Sequence, residues 1–280
     1  MNYFSIKDST SYYETFPFSK MGTPLSDAPL CAITLKKAGN MRFRWNETNA
    51  HRDKILNQIK NEWDKTSLTQ IASVELSHSK TVYKITSKDE LDNLQGDGII
   101  TNNPKIMPVV TVADCLCIYL YDQKTKAFGV VHSGWKGTGI CATAIQMMKT
   151  EYASKSEDIF VVIGPHIKNC CYIVDENRAS YFRDNFCTDC VSPLESGGKC
   201  YCGGRGLKID WDNGDGPLYR LSLEKANLAL LEKEEIPSSN ISICQDCTCC
   251  NQVFGSNRRE TSESNTFTVQ AAFILPQTHL

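Results

Sequence analysis

The chain has 280 residues, 41% of them apolar and 22% charged, with a formal net charge of −2; it can bury a substantial core as one large or two small domains. That charge leaves no electrostatic case for nucleic acid or an anionic membrane as partner. No run of about 18 apolar residues exists to span a bilayer, and MNYFSIKDSTSYYETF lacks the basic-then-apolar layout of a secretion signal, so a cytoplasmic protein with reduced thiols is expected despite its 14 cysteines.

Residues 1–50 carry weak signals. FPFSKMGTPLSDAPL has the Pro, Ser and Gly content of loops, and a strand is expected over 30–35. Asn49 is placed to cap a helix with Ile55, Ile59 and Trp63 at spacings of four. Residues 71–85 read as two short strands around His78, and 88–94 as a short polar helix or turn. Gly96-Asp97-Gly98 opens a strand at 99–101 that Asn102-Asn103-Pro104 ends. Strands follow at 109–112, 116–121 and 127–131. A helix from about 138 to 152 puts Ile140, Ala144, Met147 and Met148 on one face. A buried strand at 159–163 ends at Gly164-Pro165-His166, and a helix starts at Asp175 or Glu176 and runs through Phe186. Residues 187–216 are rich in Gly, Cys and Asp and read as a long loop or insertion. A helix over 222–231 turns Leu223, Ala226, Leu230 and Leu231 inward, a strand follows at 241–243, QDCTCCNQVFGSNRRE reads as irregular, and 266–275 is the last strand. With no internal repeat and no clean βαβ alternation, the pattern predicts a single α+β domain over residues 1–280.

The run PVVTVADCLCIYLYDQKTKAFGVVHSGWKGTGICATAI organises the chemistry. It mounts Cys115 and His132 where neighbouring strands meet a glycine-rich turn, a rigid base for a site, and His78 lies upstream. Thiolate and imidazole are preferred zinc ligands, and three protein ligands with an open fourth position form a catalytic arrangement. Residue type alone leaves two other readings open: a metal-free Cys–His nucleophile pair, and a core thiol at Cys115 with a helix-capping His132. Asp114, on a strand, would point away from Cys115; it either orients a ligand or substrate or forms an ordinary ion pair. His166 at a strand end is a candidate general acid or substrate contact, against a solvated loop histidine. Arg258 and Arg259 suit a phosphate or carboxylate clamp, against an exposed charged loop. Gly134, Gly137 and Gly139 offer amides for an anion near a helix start. Cys187-x-x-Cys190 with Cys200-x-Cys202, or Cys244, Cys247, Cys249 and Cys250, have spacings open to a structural zinc.

Four blocks, VADCLC, VVHSGWKG, IGPHIKNCCYIV and CTCCNQVFGSNRRE, resemble in this order the signature blocks of the YfiH/laccase-domain family, over about residues 70–275. Its members are described variously as polyphenol oxidases, peptidoglycan editing factors and zinc-dependent purine nucleoside phosphorylases. The resemblance implies a YfiH-like α+β sandwich of mixed sheet and helices, and a zinc whose His, Cys and His ligands map onto His78, Cys115 and His132. It implies phosphorolysis of adenosine, inosine, guanosine or methylthioadenosine to a free base and ribose 1-phosphate, with adenosine deamination as a second activity. Asp114 and His166 are then candidate proton carriers, Arg258 or Arg259 the anion contact, and Cys170-Cys171 a core pair.

Two alternatives accompany that reading. One is an amidase acting on UDP-MurNAc-amino acid precursors, with the same zinc. The other is a non-enzymatic, zinc-stabilised binding protein in which Cys117 closes the coordination. Copper oxidation of phenols needs many imidazoles and a blue-copper centre, and the chain has 5 His in all. The chain departs from the family pattern at Leu76 (Gln in the family), Val112 (Thr), Cys117 (Pro) and Lys136 (Arg). None of these removes a ligand; Leu76 and Lys136 bear on substrate contacts, since an ammonium does not replace a bidentate guanidinium without loss.

Overall fold

The computed structural model describes residues 1–6, 10–64, 68–194 and 216–277. In chain order the first elements are β1 (Asn2–Phe4), β2 (Tyr13–Pro17), β3 (Ser19–Lys20), β4 (Thr23–Pro24), β5 (Leu30–Thr34), α1 (Ala50–Trp63), β6 (Gln70–Ser73) and β7 (Val82–Lys84). The central unit is β8 (Gly98–Thr101), β9 (Ile106–Val112), β10 (Leu116–Asp122), β11 (Phe128–Ser133), α2 (Ile140–Tyr152) and β12 (Ile159–Ile163). Then come β13 (Ile173–Asp175), α3 (Glu176–Asn185), β14 (Val191–Pro193), β15 (Leu218–Leu221), α4 (Leu223–Lys233), β16 (Ile241–Cys244), α5 (Asn257–Ser264) and β17 (Gln270–Leu275).

Two large sheets carry the architecture. A seven-stranded sheet has the order β1-β16-β12-β10-β11-β8-β7, and a five-stranded sheet the order β2-β5-β17-β9-β6. They pack face to face. Cys117, Tyr119 and Tyr121 of β10 and Phe160 and Val162 of β12 meet Val110, Val112, Ala272 and Ile274 between the sheets. The alternate residues of β10, Leu116, Ile118 and Leu120, turn to the other side and pack with Ile140, Ala144 and Met148 of α2 and with Phe182, Leu223 and Leu231. Both faces of β10 are covered, which is why its sequence is a continuous apolar run rather than an alternation. The five-stranded sheet buries its outer face under Ile55, Leu56 and Ile59 of α1. The result is a single-domain α+β sandwich of mixed sheets and helices, as expected. Among the described residues no helix is long and apolar enough to cross a membrane.

Local signals explain most boundaries. Asn49 caps α1 by accepting from the Arg52 amide, Asp175 caps α3, and Ser222 caps α4. Ser87 and Glu90 form a reciprocal capping box on the short 3-10 turn Lys88–Leu91. Two expectations are corrected. The segment read as irregular after Cys244 ends in helix α5, which the Ser256 hydroxyl caps. The final strand begins at Gln270 rather than residue 266. The hydrophilic sequence of α5, NRRETSES, offers no apolar stripe; it buries Arg258, Arg259 and Glu260 instead, and periodicity rules are blind to a helix packed by its charges.

Candidate metal centre and substrate cavity

The strand β10 pairs antiparallel with β11 in a register that sets Leu116 opposite Ser133 and Cys117 opposite His132. Cys115, one step before β10, therefore emerges at the same sheet edge as His132. A cavity of about 430 Å³ opens there, lined by His78, Asp114, Cys115, His132, Trp135, Tyr172 and Arg258 among others. The His78 and His132 rings meet edge to face with centroids 5.1 Å apart. A Cβ at Gly134 would lie 2.9 Å from Cys115 Sγ and 3.7 Å from His132 Nε2. Glycine is what keeps room between sulfur and imidazole.

Asp97 organises this corner and went unrecognised in the sequence. Its carboxylate, fully buried, accepts from the His78 amide (3.0 Å), the Ser79 amide (2.6 Å) and the Ser79 hydroxyl (2.8 Å), and lies 2.9 Å from His132 Nδ1. Burial pushes its pKa up, yet the hydrogen bonds from His132 and Ser79 hold it at about 2. Anchoring Nδ1 to a carboxylate turns the opposite nitrogen, Nε2, toward Cys115 and makes it the available donor. Burial also works against a charged His132, but the Cys115 sulfur and Asp97 carry its pKa to about 9. His78 has a left-handed backbone (φ 56°) that Asp97 stabilises through its amide, a local strain of the kind that gathers at functional sites. The only sequence trace of Asp97 was a carboxylate between two glycines.

Asp114 is not on a strand. It sits in the bend between β9 and β10 with φ 79°, and its buried carboxylate accepts from the Thr248 hydroxyl (2.6 Å), the Ser256 hydroxyl (3.0 Å) and the Arg258 amide (2.6 Å). Burial raises its pKa and those donors partly offset the rise. The residue ties the cavity floor to the segment that carries Arg258. Arg258 lies over the Tyr172 ring at 5.5 Å and donates to the Ile173 carbonyl at 3.1 Å. Arg259 turns the other way: it is buried and donates to the Thr248 and Cys249 carbonyls at 2.7 and 2.9 Å, so it holds a loop rather than facing the cavity. His166 is fully buried and absent from the cavity lining, with Nδ1 2.8 Å from the Gly164 carbonyl and Nε2 3.5 Å from Glu224. The expectation of a proton carrier in contact with substrate is not met by that placement. Cys117 lies in the inter-sheet core, where burial pushes its thiol up to about 12, so it does not close the corner.

Residues 34–275 match the family described as multi-copper polyphenol oxidoreductase laccase. The chain belongs to this family. Among relatives, the purine nucleoside phosphorylase of Clostridium acetobutylicum is 31% identical over 198 residues, 70% of this chain and 73% of the relative. The purine nucleoside phosphorylase YlmD of Geobacillus stearothermophilus is 26% identical, covering 86% of this chain and 89% of its own. Among solved structures, the hypothetical protein YfiH of Bacillus licheniformis superposes with a TM-score of 0.70 at 25% identity, over 88% of this chain and 92% of that one.

The family's sandwich brings further groups to the cavity that the sequence reading passed over. Arg42 and Arg44 line it from the weakly patterned N-terminal third, and Arg178 from α3. Arg42 pairs with Glu47 at 3.2 Å and Arg44 with Glu75 at 2.8 Å. Arg178 stacks over Trp135 at 4.5 Å, with Lys136 at 5.4 Å from the same ring. Lys136, the departure from the family arginine, is thus docked on its own neighbour. Leu76, the other departure, packs against the inter-sheet core and lines the cavity.

The cysteines regroup across the chain. Cys170, Cys171, Cys247 and Cys250 have sulfurs all within 4.8 Å of one another, a cluster able to hold a metal ion, and among the described residues no other group of three or more His, Cys, Asp or Glu ligand atoms is gathered so closely. Cys244 and Cys249 stand outside it. Cys171 is buried as a core residue, yet the adjacent pair meets two further sulfurs rather than packing alone. Cys190 Sγ lies 2.6 Å from the Cys187 carbonyl oxygen; Cys200 and Cys202 fall outside the described residues.

Proposed function

We propose that the chain is a zinc-dependent purine nucleoside phosphorylase, with His78, Cys115 and His132 as the metal ligands. The observation that carries this reading is a single cavity in which two imidazoles and one sulfur share the wall with arginines docked on aromatic rings. The donor set fits zinc: imidazole nitrogens and a cysteine sulfur, with a carboxylate behind His132 of the kind that orients a zinc-bound histidine. Two imidazoles and a thiolate also suit blue copper, whose weak axial ligand is most often a methionine, and no methionine lines the cavity. Nor, among the described residues, are there further imidazoles at hand for a copper cluster. Of the other histidines, His51 lies 2.7 Å from the Ala38 carbonyl and His166 is buried apart, and His279 falls outside the described residues. When bound, zinc would supply Lewis acidity to a substrate oxygen or lower the pKa of a water.

The chain's own groups do the rest. Arg258 and Arg178, held over Tyr172 and Trp135, present fixed guanidiniums to phosphate, which they can bind in bidentate fashion. Phosphate held there attacks the ribose C1′; the glycosidic bond to the purine breaks, its electron pair and the proton given up by the hydrogen phosphate go to the base, and ribose 1-phosphate remains. Asp114 is a positioning residue: both of its oxygens are taken by donors from the 248–258 segment, which sets Arg258.

The test is product analysis of the zinc-loaded protein with adenosine and inosine, with and without phosphate. Free base and ribose 1-phosphate should form only with phosphate, and inosine from adenosine reports the deaminase reaction. No base release from either nucleoside overturns the assignment. Amino-acid release from a UDP-MurNAc-amino acid under the same conditions would favour amide hydrolysis.

A further inference from the structure

Behind the cavity the two loops that hold Asp114 meet in a cluster of sulfurs. Strands β12 and β16 pair in parallel, with Ile163 opposite Ile243, so the loops that follow them leave the sheet side by side. Their pairing continues past the strand ends: His166 bridges Cys247, and the Thr248 amide donates to the His166 carbonyl at 3.1 Å. One loop brings Cys170 and Cys171, the other Cys247 and Cys250 in a C-x-x-C spacing. Cys171 Sγ lies 3.2 Å from Cys250 Sγ, Cys170 Sγ 3.7 Å from Cys250 Sγ, and the two neighbours are 3.6 Å apart.

Those distances have a simple geometric meaning. Four sulfurs about 2.3 Å from one tetrahedral ion sit roughly 3.8 Å from each other. The separations, 3.2 to 3.7 Å among three of the sulfurs and no more than 4.8 Å across all four, lie around that tetrahedral edge. The setting suits an anionic tetrathiolate. The Lys168 amide donates to Cys247 Sγ at 3.4 Å, the Lys168 ammonium donates to the Cys244 carbonyl at 2.6 Å, and Arg220 donates to the Cys170 carbonyl at 2.8 Å.

We propose that Cys170, Cys171, Cys247 and Cys250 form a second, closed site that binds one zinc ion and staples the β12 loop to the β16 loop. The site is structural in kind: four protein ligands leave no position for a reactant. Its consequence reaches the cavity, because the stapled loops are the ones bonded to Asp114. The Ile167 amide donates to the Asp114 carbonyl at 2.9 Å, and the Thr248 hydroxyl to its carboxylate at 2.6 Å. The ion thus holds the frame on which Arg258 is placed. This inference is independent of what the cavity binds.

The test removes the first site and reads the second. The full chain carrying His78→Ala and Cys115→Ala is loaded with cobalt(II) under reducing conditions. A single equivalent should bind with the thiolate charge-transfer and intense visible bands of a tetrahedral tetrathiolate, and zinc should displace it. Adding Cys171→Ser or Cys250→Ser should abolish those bands. A variant-free measurement guards against misfolding: native chain purified with its metal is alkylated before and after chelation, and labelled cysteines are read by mass spectrometry. Cys250 reaches the solvent, so it should resist alkylation only while ligated and label once the ion is stripped. Absence of thiolate bands, equal labelling of Cys250 with and without chelator, or a Cys171–Cys250 disulfide in the reduced preparation would each overturn the site.

Discussion

Two corners of this molecule gather sulfur, each proposed above as a cation site, and they do it in opposite ways. The cavity corner draws His78, Cys115 and His132 from three separate stretches onto a concave wall, and Gly134 keeps space beside the sulfur. The corner behind it draws four cysteines from two parallel-strand loops, close enough to hold an ion among them. Mixed donors on a wall leave a coordination position for a reactant; four sulfurs facing inward leave none. On the proposed readings one corner serves chemistry and the other shape, and Asp114 lies between them, bonded to the loops of the second and bordering the first.

The comparison breaks most visibly if the two corners are disabled in turn. Cys115→Ala should lower the phosphorolysis rate roughly 10³-fold or more, as for loss of a principal catalytic group, while thermal unfolding moves little; kinetics and calorimetry on the same preparation check both halves. Cys171→Ser should do the reverse. It should cost about 3–5 kcal/mol of stability, the scale for losing a structural metal or a well-packed core group, as read from denaturant unfolding. Equal effects of the two substitutions on both readouts would erase the distinction between an open and a closed corner.

Asp97→Asn sharpens the picture of the first corner. It keeps the shape and removes the charge behind His132, so zinc affinity should fall by about 10–100-fold, measured by competition with a chromophoric chelator, with the fold intact by circular dichroism. The smallest effect concerns the flank of the second corner, where Glu224 pairs with Lys168 and faces His166. Burial pushes the Glu224 pKa up, but the nearby His166 ring and the Lys168 charge hold it at about 2, against an ordinary 4.5. A depressed carboxylate pKa means that the unfolded chain binds the proton first, so this stabilisation is full above pH 4.5 and fades as the pH falls toward 2. His166, whose pKa burial lowers, adds acid lability at its own higher pH in the same direction. Glu224→Gln should therefore flatten the acid limb of the stability–pH curve by roughly 2 kcal/mol, read from denaturation midpoints across that range; an unchanged limb would remove Glu224 from the account.

Much of the frame was readable from residue order alone. The apolar runs of β9 to β12 announced buried strands because both of their faces are covered, and Asn49, Asp175 and Ser222 announced helix starts because a cap is a local hydrogen bond. His78, Cys115 and His132 could be singled out as candidates before any fold was known, since their donor chemistry and family blocks are written in the chain itself, and the fold sets all three on one cavity wall. What tertiary structure alone decided are relations between distant stretches. Asp97 became the organiser of the cavity corner only when the turn before β8 met the end of β11. Asp114 proved to be a tie rather than a strand residue, because a left-handed bend turns it onto the 248–258 segment. Cys170 and Cys171 joined Cys247 and Cys250 across more than seventy residues of sequence, where spacing had grouped Cys247 and Cys250 with their neighbours Cys244 and Cys249. Caps and apolar runs are set by residues a few positions apart, which sequence order preserves; coordination and ion pairing depend on distances in space, which exist only once the sheets have set their register.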